Sequence, residues 1–187
     1  ALFGGLIFAE KSPRCVTREQ ALTIISTRPH LEYVGVFVNH KRTEVVELAK
    51  SLHLTAVQLH GDEDESYIAA LKTQLSENNC DSCQIWQAKP VLGDVPELSS
   101  KVTQHVLDGK SPGSGQAFDW RVLANSEQNL SNCLLAGGLN GDNINLALTQ
   151  LTNLDLFGLD LNSGVETSPG IKSSEKLSQV FTKIRNY

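Results

Sequence analysis

Apolar runs and amphipathic stretches alternate along this chain at a nearly constant tread, and no other feature limits the fold so tightly. Strands are expected to start near Gly4, Tyr33, Ala56, Gln84, His105, Cys133 and Leu156, spaced by about 21 to 29 residues, close to the minimum βαβ length. Helical patterns fill the gaps. Thr17 caps one that runs to about Thr27, with Glu19 in its first turn. Thr43 opens a second, with Val45, Val46, Leu48, Ala49 and Leu52 at helical spacing, and a third runs from Asp64 to about Leu75. A weaker helical stretch follows Pro96, a short helix covers Asp119 to Asn125, and Asn143 to Gln150 and Ser174 to Arg185 complete the set. The largely apolar run Tyr33 to Asn39 suits a strand covered on both faces. Alternation of this kind is the pattern of a parallel sheet.

Short, regular units favour a barrel over an open doubly wound sheet, whose glycine fingerprint follows the first strand. Here the small-residue turns follow the last two apolar runs, as Gly137-Gly138 and as Asn162-Ser163-Gly164. Glycine lets a backbone approach an anion without a Cβ in the way, and a helix that follows each turn would aim free N–H groups at the same place. A closed barrel needs eight strands and only seven are counted. Residue 1 already lies at a strand start. The expected class is therefore α/β, a TIM (β/α)8 barrel lacking its first strand and helix, with residues 1–187 forming one barrel domain of strands two to eight. The absent unit would leave two unpaired sheet edges.

At 187 residues and 40% hydrophobic composition, the chain can bury the core of a single domain. A net charge of -5 argues against nucleic acid or an anionic membrane as partner, since both want clustered Lys and Arg. No apolar stretch reaches the roughly 18 residues that span a bilayer, and Ala1 to Ala9 lacks the basic start of a secretory signal, so a cytoplasmic location is expected. Of the four cysteines, at 15, 80, 83 and 133, only Cys80 and Cys83 have CxxC spacing. A zinc site would want a second pair or suitably spaced histidines, and the pair falls in a polar loop, so free thiols in a reducing compartment are expected there and no metal site. The absence of methionine fits either a fragment or removal of an initiator.

Catalytic groups of a (β/α)8 enzyme sit at the C-terminal ends of strands. The residues there are Gln58, His60, Lys89, Asp108 and Asp160, with Arg14 after the first strand. Asp108 and Asp160 are the acid candidates, because a carboxylate beside a phosphate site can exchange protons with a sugar oxygen. Asp108 before Gly109 also suits a simple turn cap, His60 before Gly61 a turn histidine, and Arg14 a solvated surface position. Lys89 is the residue that Schiff-base chemistry would use. Trp86 and Trp120 are expected to be packing residues, and Asp62 to Glu65 the charged first turn of a helix.

Taken in order, Ser12-Pro13-Arg14, Tyr33 to Asn39, Val57-Gln58-Leu59-His60-Gly61, Leu107-Asp108, Gly113 to Trp120, Leu135 to Leu139, Asn162 to Glu166 and Pro169 to Lys172 resemble the phosphoribosylanthranilate isomerase family over nearly the whole chain. The likeness is strongest to isomerase domains of bifunctional bacterial proteins that carry indole-3-glycerol-phosphate synthase upstream. It implies an Amadori rearrangement of a phosphosugar substrate in tryptophan biosynthesis, with no metal or organic cofactor. It implies Asp108 as the acid and Arg14 as the group holding the anthranilate carboxylate. Gly137, Gly138, Ser163 and Gly164 would bind phosphate, with Gln58, His60 and Asp160 lining the pocket. One departure stands out: the family's base is a cysteine at the end of its first strand, in a Lys-x-Cys-Gly type motif, and no such motif occurs here. The isolated chain is therefore expected to be poorly active. The alternatives are another phosphosugar barrel enzyme, such as an aldolase or decarboxylase, and a non-catalytic module that binds phosphorylated metabolites.

Overall fold

Strand β1 (Phe3–Ile7) pairs in parallel with β2 (Glu32–Phe37), which pairs with β3 (Ala56–Leu59), which pairs with β4 (Gln84–Pro90). Between them run α1 (Arg18–Thr27), α2 (Arg42–Leu52) and α3 (Glu65–Glu77). These are the features of a computed structural model that describes residues 1–109 and 119–187. The glycine-rich stretch expected after Gly109, including the quoted motif from Gly113 to Phe118, lies outside the described residues. The chain divides into two units, residues 1–88 with 99–103 and residues 89–98 with 104–187.

In the first unit the core forms because alternate strand residues meet one stripe of each helix. Tyr33, Phe37, Val57, Leu59 and Ile85 pack with Val45, Ala49, Leu52, Ile68, Leu71 and Leu75. Each fully buried Leu or Ile contributes about 1.5–3 kcal/mol relative to exposure. All four β3 residues are buried, which explains why the strand reads as continuous rather than alternating. Local chemistry sets the helix starts. Thr17 and Gln20 cap each other reciprocally, and the Asp64 side chain accepts from the Tyr67 N–H at 2.7 Å. That bond, followed by one from Ser66, holds the Asp64 carboxyl below its ordinary range.

The second unit contains β5 (Gln104–Asp108), β6 (Cys133–Leu135) and β7 (Gly158–Leu159), parallel and in sequence order, with α4 (Arg121–Ala124), α5 (Ile144–Gln150) and α6 (Ser174–Arg185). Leu107, Leu123, Leu135, Leu139, Ile144 and Val180 lie at its core. The parallel α/β architecture is as expected from the alternation, and Trp86 and Trp120 are buried. Trp86 meets Phe3 edge-on at 5.1 Å.

Several local expectations are corrected. The stretch after Pro96 is not helical; its spaced apolar residues do not face one core, since Leu98, like Val95 before it, packs against that of the second unit and Val102 lies in that of the first. The α3 helix extends through Glu77, so Ser76 is helical rather than part of a loop before Cys80. The seventh strand has only two paired residues. The turn at Ser163 leads into a short 3-10 turn (Ser163–Val165) and an antiparallel hairpin, β8 (Glu166–Ser168) with β9 (Ile171–Lys172), before α6 begins. One N–H at the N-terminus of α6 is taken up locally, because the Ser173 hydroxyl accepts from the Lys176 N–H at 3.2 Å.

Candidate functional site

In the second unit, Asp108 closes β5 and is 9% exposed. Its Oδ1 accepts from the Gly109 N–H at 2.7 Å. The same oxygen lies 2.7 Å from where a Cβ on Gly137 would stand, so only glycine fits opposite the carboxylate. Gly137 also has φ of 84° and Gly138 φ of 66°, in the left-handed region that side chains disfavour. Thus the acid candidate and the first small-residue turn are in direct contact.

Two asparagines set the shape of that turn. The Gly138 carbonyl accepts from the Asn140 and Asn143 side chains at 3.1 and 2.9 Å. Asn143 Oδ1 in turn accepts from the Asn140 N–H at 2.9 Å, and Asn140 Oδ1 from the Asp142 N–H at 2.8 Å. Asn143 is therefore spent on the turn itself, and it gives α5 no side-chain cap. The second turn touches the first: a Cβ on Gly164 would overlap the Leu139 carbonyl oxygen and lie 2.7 Å from Asn140 Cβ. Asp160 continues the β6–β7 pairing through its N–H to the Leu135 carbonyl at 2.8 Å. Asn162, with ψ of -96°, leads into Ser163. Asp108, Gly137, Gly138 and Gly164 thus form one contiguous constellation, with Asp160 and Ser163 on the chain that enters the second turn. A loop that places backbone amides close together without intervening Cβ atoms suits an oxyanion such as phosphate.

In the first unit, Gln58 is buried and its Nε2 lies 3.2 Å from His60 Nδ1. The tautomer of His60 decides which partner of this pair donates. The His60 N–H donates to the Phe37 carbonyl at 2.8 Å. Arg14 lies half-buried on the β1–α1 loop, whose turn is held by the Arg14 N–H bond to Ser12 Oγ at 3.2 Å.

Glu63 was expected to be one solvated charge in the first turn of a helix. Instead it is 7% exposed and bridges two strand ends. Its Oε1 accepts from the Asn39 N–H at 2.6 Å and its Oε2 from the Gly61 N–H at 2.8 Å. Gln87 from β4 reaches its carbonyl at 3.2 Å. Spacing hid it, because Asp62 to Glu65 looks like any acidic helix start. The Lys172–Glu166 ion pair at 3.0 Å was missed too.

The thiols are free: Cys15 is exposed, Cys80 and Cys83 half-buried, and Cys133 buried. Burial, with Cys80 nearby, pushes the Cys83 thiol up to about 12, and burial alone pushes Cys133 up to about 11. Neither is a thiolate near neutrality. Lys89 is half-exposed rather than sequestered, which is a poor setting for a Schiff-base amine. Among the described residues, no group of three or more His, Cys, Asp or Glu is placed to hold a metal ion. Among the same residues, no helix is long and apolar enough to cross a membrane.

A sequence-family model described as N-(5'phosphoribosyl)anthranilate (PRA) isomerase matches residues 1–183. The tryptophan biosynthesis protein TrpCF of Vibrio cholerae serotype O1 is 45% identical over 192 residues, and the match covers 100% of this chain but 38% of that protein. Phosphoribosyl anthranilate isomerase from Thermus thermophilus superposes with a TM-score of 0.82 at 31% identity, covering 100% of this chain and 88% of its own. A phosphoribosyl anthranilate isomerase in complex with reduced 1-(o-carboxyphenylamino)-1-deoxyribulose 5-phosphate gives a TM-score of 0.73 at 25% identity, covering 100% of this chain and 89% of its own.

Proposed function

Because the chain belongs to the N-(5'-phosphoribosyl)anthranilate isomerase family, we propose that it performs the isomerase step of tryptophan biosynthesis. In that step an Amadori rearrangement turns N-(5-phosphoribosyl)anthranilate into 1-(2-carboxyphenylamino)-1-deoxyribulose 5-phosphate. The observation that carries the proposal is the Asp108 carboxylate seated 2.7 Å from the missing Cβ of Gly137, on a turn that touches Gly164. An acid beside an anion-binding turn is what ring opening of a phosphosugar requires.

In this proposal the Gly137, Gly138, Ser163 and Gly164 turns hold the phosphate, and Asp108 donates a proton to the furanose oxygen as the ring opens. Asp160, Gln58 and His60 are the further substrate-binding residues of this proposal. Arg14 pairs with the anthranilate carboxylate, for which the planar guanidinium fork is suited. Proton removal from C2′ then requires a base. The family's cysteine motif does not occur in these 187 residues, and Cys83 and Cys133 are held as thiols. Turnover by the isolated chain is accordingly placed about 10² to 10⁴ below that of a form supplied with the base.

We further propose that residues 1–187 form a single domain, strands two to eight of a (β/α)8 barrel lacking its first βα unit. Support comes from the sequence-order pairing of the strands in each unit and from small-residue turns after the sixth and seventh strands, where barrels often bind phosphate. An upstream indole-3-glycerol-phosphate synthase domain and a cytoplasmic location belong to the same proposal. Support for the fusion comes from the chain spanning 38% of the Vibrio cholerae TrpCF protein.

The test is turnover of phosphoribosylanthranilate by this chain beside a version extended upstream through a cysteine-bearing first strand. Activity in the extended form alone is the expected result. Phosphate binding without turnover in either form would favour a non-catalytic binding module, the reading to which the absent cysteine motif otherwise points.

A further inference from the structure

We infer that Lys172 is a positioning residue for the second anion-binding turn, acting through the geometry of Asn162 rather than through its charge; the inference rests on the proposed phosphate role of Ser163 and Gly164. Lys172 closes strand β9, ten residues after Asn162. Its ammonium has three N–H donors, and three oxygens receive them. Asn162 Oδ1 lies at 2.7 Å, the Asn162 carbonyl at 3.1 Å and Glu166 Oε1 at 3.0 Å. Nothing is left over to donate to a ligand. Its charge is also matched, because the Glu166 side chain is 4% exposed and faces it across the ion pair.

What these bonds hold is an unusual piece of backbone. Asn162 has φ of -126° and ψ of -96°, outside the main helical and extended regions. Two of the three Lys172 bonds end on Asn162, one on its backbone and one on its side chain. The third ties the ammonium to Glu166, whose own position is fixed on two sides. Glu166 Oε1 also accepts from the Gly170 N–H at 3.2 Å, and the Glu166 carbonyl accepts from Lys176 Nζ at 2.6 Å. The segment 162–166 is thereby gripped at both ends by β9 and the first turn of α6. Between the grips, Gly164 is pressed against the Leu139 carbonyl and Asn140. Release of Asn162 would let Ser163 and Gly164 drift away from the Gly137–Asn140 turn, separating the two halves of the anion site.

The test is titration of inorganic phosphate into the chain by isothermal calorimetry. It compares wild type with Lys172→Met, which keeps the stem but no donor, and Lys172→Gln, which keeps an N–H donor without charge. Folding is checked by circular dichroism. Loss of the bonds in Lys172→Met is expected to weaken phosphate about tenfold, and Lys172→Gln to stay within about threefold of wild type. Equal weakening of both variants would mean that charge, not geometry, is what Lys172 supplies, and would overturn the inference. Unchanged affinity in Lys172→Met would overturn it while leaving the phosphate turns standing. Absence of phosphate binding by wild type would overturn the turn assignment itself, and the inference with it. Should Lys172→Met not fold, Lys172→Gln decides alone: affinity near wild type supports a role through hydrogen bonding, and a tenfold loss overturns it.

Discussion

Replacing Gly137 by alanine separates the two reasons why this position is glycine. The first is backbone: at φ of 84°, an L residue costs about 1–2 kcal/mol. The second is space: the new Cβ would stand 2.7 Å from Asp108 Oδ1 and 3.0 Å from the Gly109 nitrogen. Ordinary contact needs about 3.5 Å, so the carboxylate must retreat by something under 1 Å or the turn must open. Because Asp108 is buried and already bonded to the Gly109 N–H, moving it strains that bond as well. The sum is expected near 2–3 kcal/mol of stability, the range seen when a special backbone position and a packed contact are both disturbed. It is read as a shift of the urea midpoint at constant slope. The decisive control is the same change in an Asp108→Ala background, where the carboxylate is gone but the positive φ remains. There the cost of Gly137→Ala should fall, leaving the backbone part of about 1–2 kcal/mol and the tight 3.0 Å approach to the Gly109 nitrogen. Equal costs in the two backgrounds would refute the claim that Asp108 and Gly137 define one another's positions. In a form carrying the base, a displaced Asp108 should lower kcat by about 10²-fold, with phosphate affinity falling too because the turn is the same.

Asp108→Asn removes the proposed proton donor and keeps the volume; turnover by the base-bearing form should fall about 10² to 10⁴-fold while inorganic phosphate binds nearly as before. Glu63→Gln places an amide N–H against one of two backbone donors, from Asn39 and Gly61, and should cost about 1–3 kcal/mol in urea unfolding; a neutral result would show that the bridge between strand ends is dispensable. Tyr67 is pushed up from 10.0 to about 12, first by burial and then by the nearby Glu63. Its folded pKa is raised, so its contribution to stability is complete below the unfolded value and is lost as pH rises from 10 toward 12; Tyr67→Phe should flatten that part of the thermal stability profile. At mildly alkaline pH, alkylation followed by peptide mapping should label exposed Cys15 well before buried Cys133, whose thiol is pushed up to about 11.

Features set by neighbours in the chain were legible from the residues. Thr17 and Asp64 start helices because their side-chain oxygens reach N–H groups three residues on, a bond that needs no distant partner. Strand β2 announced itself through composition in the run from Tyr33, since a strand covered on both faces has little polar side to show. The stretch after Pro96 misled because its spaced apolar residues are divided between two cores instead of facing one. Glu63 and Lys172 were invisible for a related reason: each owes its role to atoms brought near by folding.

The amino-acid order alone determined the alternation of strand and helix, the family resemblance, and the candidate acid and glycine positions, because periodicity and special backbone needs are written locally. Only the tertiary structure decided that Asp108 rests on Gly137, that Gly164 abuts Asn140, and that buried Glu63 and Glu166 secure the turns. The Asp108–Gly137, Gly164–Asn140 and Glu63–Asn39 contacts join residues about two dozen to thirty positions apart, and even Glu166 and Lys172, six positions apart, meet only across a turn; a Coulomb or hydrogen-bond energy exists between such groups only once folding has brought them within a few ångströms.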